Sequence, residues 1–281
     1  MNIIDQEYNI ALTDAKEHYE NFPVISLFVP KYLQKHVAVI YKFARTADDF
    51  ADEETYSAYN RVELLNNYQS DFENALKGNY KNNFLMALIN TINEYNLSPF
   101  LFTDLLKAFK QDLVVNRYDT FKEIENYCKL SANPVGRLIL ELYNIRSEEA
   151  FLYSDNICTA LQLTNFYQDF LIDIKRNRLY LPINEIKEYK FTVDELLNCN
   201  YNAKFVALMQ FQVDRTKKIF DIGKKLIKLL NGRLKYQILL TVLGGEKILN
   251  KIEADNYNVI LNRPKLNKFD ILKLITKSVI K

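Results

Sequence analysis

The chain has 281 residues, 48% of them hydrophobic, and 37 basic against 35 acidic side chains give a formal charge of only +2. That balance supplies no global pull toward nucleic acid, and six Gly with six Pro are too few for a turn-rich β protein. Gly78, Gly136, Gly223, Gly232 and the Gly244-Gly245 pair build no phosphate-binding loop. Cys128, Cys158 and Cys199, without CxxC spacing, fit a reducing cytosol better than a disulfide framework or a zinc site.

Asp5 and Glu7 stand where a signal peptide needs a basic start and an apolar core. No apolar run approaches the ~18 residues of a membrane span. The expectation is a cytoplasmic protein, with a peripheral membrane contact left open. Helical periodicity predicts segments at roughly 5–20, 31–53, 58–77, 82–96, 99–115, 121–145, 149–175, 202–230, 234–253 and 266–280. The breaks fall at Phe22-Pro23, Val29-Pro30, Ser98-Pro99, Leu181-Pro182, Asn231-Gly232 and Arg263-Pro264. Ser98 before Pro99 reads as an N-cap with Pro at N1. The stretch 176–200 is the least regular and reads as a loop with a short helix. With no repeat, low-complexity tract or linker, the prediction is one all-α domain over residues 1–281. Of the two histidines, His36 is expected on a helix surface.

In the segment 31–53, an advance of ~100° per residue puts Tyr41, Arg45, Asp48 and Asp52 on one stripe. Val39, Ile40, Phe43, Ala47 and Phe50 lie opposite, and Asp49 falls on the flank. A solvated helix face would show the same split. In the segment 156–182, Gln162, Asn165, Asp169, Asp173 and Arg176 share one side. Leu163, Tyr167, Leu171 and Ile174 oppose them, while Phe166, Phe170 and Ile172 flank the polar side. Carboxylates and amides set among large apolar groups are costly unless paired or metal-bound. Each Asp pair sits at i and i+4, where like charges repel unless a cation neutralises them. Hard divalent ions such as Mg²⁺ prefer such oxygens. Arg178 and Tyr180 follow directly, one suited to bidentate phosphate contact and the other to donating a hydroxyl.

These two segments resemble the squalene/phytoene synthase family of head-to-head prenyltransferases. Tyr41, Arg45, Asp48 and Asp52 meet its pattern Y-x-x-x-R-x-x-D-x-x-x-D. Gln162, Leu163, Asn165, Asp169 and Asp173, then Arg178, Tyr180, Leu181 and Pro182, meet Q-L-x-N-x-x-x-D-x-x-x-D followed by R-x-Y-L-P. Phytoene and dehydrosqualene synthases usually read R-D-x-x-E-D in the second motif, whereas this chain has Gln168 and Ile172 in place of the Arg and Glu. With the segment His18–Pro23 and the sequence Ser131-Ala132-Asn133-Pro134-Val135-Gly136-Arg137, the resemblance is to the bacterial hydroxysqualene synthase branch of the hopanoid pathway. Asn177 replaces a usual Gly before Arg178; Asn tolerates the left-handed backbone better than most residues.

The resemblance implies an isoprenoid-synthase helical bundle around a deep apolar cavity, with the two Asp stripes facing across its mouth. It implies Mg²⁺ held by Asp48, Asp52, Asp169 and Asp173, with Asn165 a further ligand. Arg45 and Arg178, with Tyr180, would support the leaving diphosphate of a presqualene or farnesyl substrate. Gln162 would contact substrate or the phosphate-bound metal shell, and Tyr41 would be catalytic together with the four Asp. His18 and Phe22 are substrate-adjacent candidates. Pro134 is expected to kink its helix and free the Leu130 carbonyl, which with Asn133 would hold a water; the alternative is a packing kink only. Two rivals stay open: a condensing squalene or phytoene synthase, and a non-catalytic assembly factor. The basic amphipathic C-terminal segment would either pack on the rest of the chain or touch anionic lipid. The oligomeric state is not legible.

Overall fold

The computed structural model describes residues 2–17, 28–53 and 55–280, and among them every regular element is helical. His18 and Phe22 lie outside these residues. The chain divides into two compact units, Met1–Val114 with Pro134–Phe151, and Val115–Asn133 with Leu152–Lys281. Neither unit is one contiguous segment of the chain.

The first unit is built from α1 (Ile3–Glu17), α2 (Lys31–Asp52), α3 (Ala58–Leu76), α4 (Asn83–Tyr95) and α5 (Pro99–Asp112). α2 packs against the other four of these helices, and residues 134–151 complete the unit. Val39, Phe43 and Ala47 of α2 are fully buried, as their spacing predicts. Phe43 anchors an aromatic cluster, with its ring centroid 5.0 Å from Tyr68, 5.1 Å from Phe72 and 5.3 Å from Phe102. Arg61 donates to the Ala51 carbonyl at 2.9 Å, placing a cation at the C-terminal end of α2 where the helix dipole favours one.

His36 departs from expectation. It is buried at 1% exposure, because α1 and α4 both cover that side of α2. Its Nδ1 lies 2.9 Å from Thr91 Oγ1, and Tyr8 and Tyr95 pack edge-on against its ring. Burial pulls its pKa down to about 4. Ser98 begins α5 with Pro99 in the first turn, but its side chain does not cap the helix. The buried Glu141 instead accepts from the Ser98 backbone N–H at 2.8 Å and from its hydroxyl at 2.6 Å.

The expected single helix over 121–145 is two, α6 (Phe121–Ser131) and α7 (Asn133–Leu142). Pro134 therefore falls in the first turn of α7. A missing donor there costs little, so the chain breaks between helices instead of kinking within one.

The second unit also holds α8 (Glu148–Gln168, from Leu152 onward), α9 (Phe170–Lys175), α10 (Ile183–Glu188), α11 (Val193–Leu197), α12 (Ala203–Gly223), α13 (Leu226–Leu229), α14 (Gly232–Ala254) and α15 (Lys268–Ile280). Thus the irregular stretch 176–200 contains two short helices, and the expected helix over 202–230 ends at Gly223. That glycine lets α12 meet α8 closely: a Cβ there would sit 2.7 Å from Ile157 Cγ1 and 2.9 Å from the Ile157 backbone nitrogen. Gly245 on α14 lies similarly against Leu161 and Phe220. α8 is thereby gripped along one side by two helices.

A buried network fixes its far end. Arg215 pairs with Glu185 at 2.5 Å, Gln212 donates to Glu185 at 2.6 Å, and Tyr167 of α8 meets Thr216 at 3.2 Å. The three cysteines are free thiols. Among the described residues no helix is long and apolar enough to cross a membrane.

Candidate functional site

On α2 the predicted stripe is half-buried: Tyr41, Arg45, Asp48 and Asp52 are all partly exposed. Arg45 lies 3.4 Å from Asp48 and 2.9 Å from Asp49, so one guanidinium serves two carboxylates. Asp49, assigned to the flank, joins the stripe's electrostatics through Arg45. The side chains of Arg45, Asp48 and Asp49 are 38%, 41% and 58% exposed, so by themselves these ion pairs add little stability.

On the second stripe the helix is interrupted at Asp169, whose backbone (φ −99°, ψ 14°) leaves the α region between α8 and α9. The i to i−4 ladder nonetheless persists, with Asp169 N–H donating to the Asn165 carbonyl at 2.8 Å and Asp173 N–H to the Asp169 carbonyl at 3.0 Å. The predicted one-turn spacing of the two carboxylates therefore survives the break. Leu163, Tyr167 and Ile174 are buried, as are Phe166 and Phe170. Ile172 is not: at 39% exposure it faces outward and does not wall the polar side. Gln162 and Asn165 are half-buried on α8.

Asp169 has two partners. Asn165 Nδ2 donates to one oxygen at 3.1 Å, and Arg263 Nε donates to the other at 2.5 Å. Next to it, Gln168 is buried and donates to the Pro264 carbonyl at 2.7 Å. The loop before α15 thus folds over the second stripe through two consecutive residues. Sequence reading took Arg263-Pro264 only as a helix stop. A contact 94 residues distant leaves no local pattern to find.

α9 ends in a Schellman turn. Asn177 takes φ +59°, its N–H reaches the Ile174 carbonyl at 2.9 Å, and the Arg178 N–H reaches the Asp173 carbonyl at 2.8 Å. Asn does here what the usual glycine would do, and Arg178 is pinned beside Asp173. Arg117 tightens the turn, donating to the Asn177 carbonyl and to its side-chain oxygen at 2.6 Å. Leu179 N–H bonds the Asn116 carbonyl at 3.0 Å. Asp173, Arg178, Phe166, Phe170 and Tyr180 then line a cavity of about 10 Å³, room for about one water. Tyr180 is buried, and its ring lies flat on Phe166 with centroids 3.8 Å apart. Tyr118 and Tyr127 complete an aromatic wall, each 5.8 Å from Tyr180. Neither was singled out from periodicity, which shows that an aromatic is buried but not what it borders.

Asn133 is 5% exposed, and its side-chain oxygen accepts from Thr159 of α8 at 3.1 Å. Thr159, ten residues before Asp169, is a further residue that spacing did not flag.

The donor chemistry suits a hard cation. Every acidic ligand candidate offers oxygen, the donor a hard cation prefers, and a bound ion would compete with Arg45 for Asp48 and with Arg263 for Asp169. Among the described residues no three His, Cys, Asp or Glu side chains converge into a ready-made metal cage. Mg²⁺ bound to substrate phosphates needs only one or two carboxylates, with phosphate oxygen and water filling its shell. Asp48 with Asp52, and Asp169 with Asp173, fit that requirement.

The squalene/phytoene synthase family model matches residues 15–270, and the chain belongs to that family. Its fold is the isoprenoid-synthase helical fold of these enzymes. The crystal structure of squalene synthase HpnC from Alicyclobacillus acidocaldarius is similar with a TM-score of 0.86 and 34% identity, covering 91% of this chain and 96% of that one. The hydroxysqualene synthase of Zymomonas mobilis is 34% identical over 191 residues, 66% of this chain and 63% of its own length. The 15-cis-phytoene synthase of Synechocystis is 25% identical over 272 residues, 92% of this chain and 80% of its own.

Proposed function

We propose that this protein is a Mg²⁺-dependent hydroxysqualene synthase, converting presqualene diphosphate and water to hydroxysqualene and diphosphate in squalene and hopanoid biosynthesis. The observation that carries the reading is the second stripe. Asp169 and Asp173 keep their one-turn spacing, Arg178 is pinned at the end of the same helix, and Gln168 turns away to bond Pro264. The identity to the Zymomonas enzyme and the sequence Ser131–Arg137 support this branch, while the HpnC structure, titled a squalene synthase, is equally identical over more of the chain.

In this reading Asp48, Asp52, Asp169 and Asp173 hold Mg²⁺, with Asn165 either a ligand or the donor that orients Asp169. The bound ion supplies Lewis acidity to the diphosphate. Arg45 and Arg178 add charge-assisted hydrogen bonds to the same group as its C–O bond breaks and the electron pair leaves with it. Tyr41, Gln162 and Tyr180 position the substrate. The faces of Phe166, Tyr127 and Tyr180 favour the resulting carbocation and keep stray water away. Asn133, its side-chain oxygen taken by Thr159, has its amide N–H groups left to hold the water whose oxygen adds to the cation and then loses a proton.

Incubation of purified protein with Mg²⁺ and either presqualene diphosphate or farnesyl diphosphate, followed by lipid analysis, tests the assignment. Hydroxysqualene from the first substrate supports it. The similarity to phytoene synthases favours a second reading, condensation of two allylic diphosphates. A condensed end product accumulating from farnesyl or geranylgeranyl diphosphate, with no hydroxysqualene from presqualene diphosphate, establishes that reading.

A further inference from the structure

α15 is firmly seated on one side. Asn267 and Asp270 cap its start reciprocally, at 3.0 and 2.8 Å. Lys251 of α14 reaches Asp270 at 2.7 Å, and Leu274 packs with Leu239 and Leu243. Among the described residues the opposite side has no such cover: Phe269 is 77% exposed and Leu272 60%. At ~100° per residue Phe269, Leu272 and Thr276 fall on one face, and Lys268 and Lys273, both exposed, fall on its two margins.

We propose that this face docks the protein on an anionic lipid surface. A helix lying in a lipid interface needs an apolar strip for the acyl boundary and cations along its edges for the headgroups. Lysine suits those edges because its stem lies along the apolar strip while its ammonium stays in the headgroup layer. The position supports the assignment. Pro264, bonded to Gln168, stands four residues before Lys268, a reach of at most ~14 Å. Docking therefore keeps the segment that bonds Asp169 and Gln168 within ~14 Å of chain from the docked helix, and in the proposed reaction both substrate and product are lipids. The site's proximity to lipid matters to the proposed function, but the docking does not require it.

Sedimentation with phosphatidylcholine vesicles, plain or containing about one-third phosphatidylglycerol, tests this. The protein binds the anionic vesicles and binds plain ones much less. The pair Phe269→Ser and Leu272→Ser lowers partitioning tenfold or more. Lys268→Gln and Lys273→Gln each lower it by roughly fivefold and flatten its salt dependence. An unchanged unfolding transition and unchanged turnover of a short-chain, water-soluble prenyl diphosphate show that the variants remain folded. Because vesicle binding needs no catalysis, it can fail while the proposed reaction stands, or hold while that reaction fails. Equal binding by the serine variant overturns the proposal. So does a dimer, seen by ultracentrifugation and lost in that variant, from a protein that ignores vesicles.

Discussion

Lowering the pH from 7 to 5 should destabilise this protein partly through one side chain, His36. The ring is 1% exposed, and its pKa falls from 6.5 to about 4, first through burial and then through Lys35. Glu94 lies 3.7 Å from Nε2, and Thr91, Tyr8 and Tyr95 complete the surroundings. Between these two values the unfolded chain binds a proton that the folded chain does not, so stability rises with pH across this window and is lost as pH falls through it. The whole shift corresponds to about 3 kcal/mol. The portion between pH 7 and pH 5 is about 2 kcal/mol. Urea unfolding of wild type and His36→Gln at both pH values isolates this share, because other groups cancel in the difference. The variant is less stable at pH 7 through lost packing, and its deficit narrows by about 2 kcal/mol at pH 5. Parallel pH profiles for the two proteins would refute the reasoning.

Three further outcomes follow from the packing around α8 and α9. Asn177→Ala forces an ordinary side chain into the left-handed turn, at a cost of about 1 kcal/mol; it slows diphosphate release by displacing Arg178, whereas Asn177→Gly keeps the rate and loses only the exposed Arg117 contact to the side chain. Gly223→Ala drives a methyl group into Ile157, lowering stability by about 1–3 kcal/mol in denaturant titration. Glu185→Ala leaves the largely buried Arg215, whose guanidinium lies 3.5 Å from the Phe121 ring centroid, without its carboxylate, and breaking such a pair costs up to about 3 kcal/mol, measured as a fall in the unfolding midpoint.

Much of this was legible because helices write their faces in the sequence. The buried side of α2 and the one-turn spacing of each Asp pair follow directly from a 3.6-residue period. Asn177 was readable too, since few residues replace glycine in a left-handed cap. The failures share a different cause. His36 sits between Lys35 and Val37 in a stretch that gives no hint that α1 and α4 close over it. Ile172 looks like a wall residue by composition, yet the turn after Asp169 carries it outward. The break before Pro134 split a helix whose periodicity runs straight through. Arg263 and Thr159 were invisible because their importance lies in contacts with chain segments far away in sequence. Local periodicity reports which face is buried; it does not report what comes to cover it.

In the proposed reaction, water ends the sequence by adding to the cation. Running the turnover of presqualene diphosphate in ¹⁸O-labelled water and analysing the lipid by mass spectrometry tests it most directly. The expected product is hydroxysqualene with one labelled oxygen, formed only with Mg²⁺ and abolished by Asp48→Asn or Asp169→Asn in proteins that still fold. An unlabelled hydrocarbon as the enzymatic product, or turnover that persists in both variants, would contradict it.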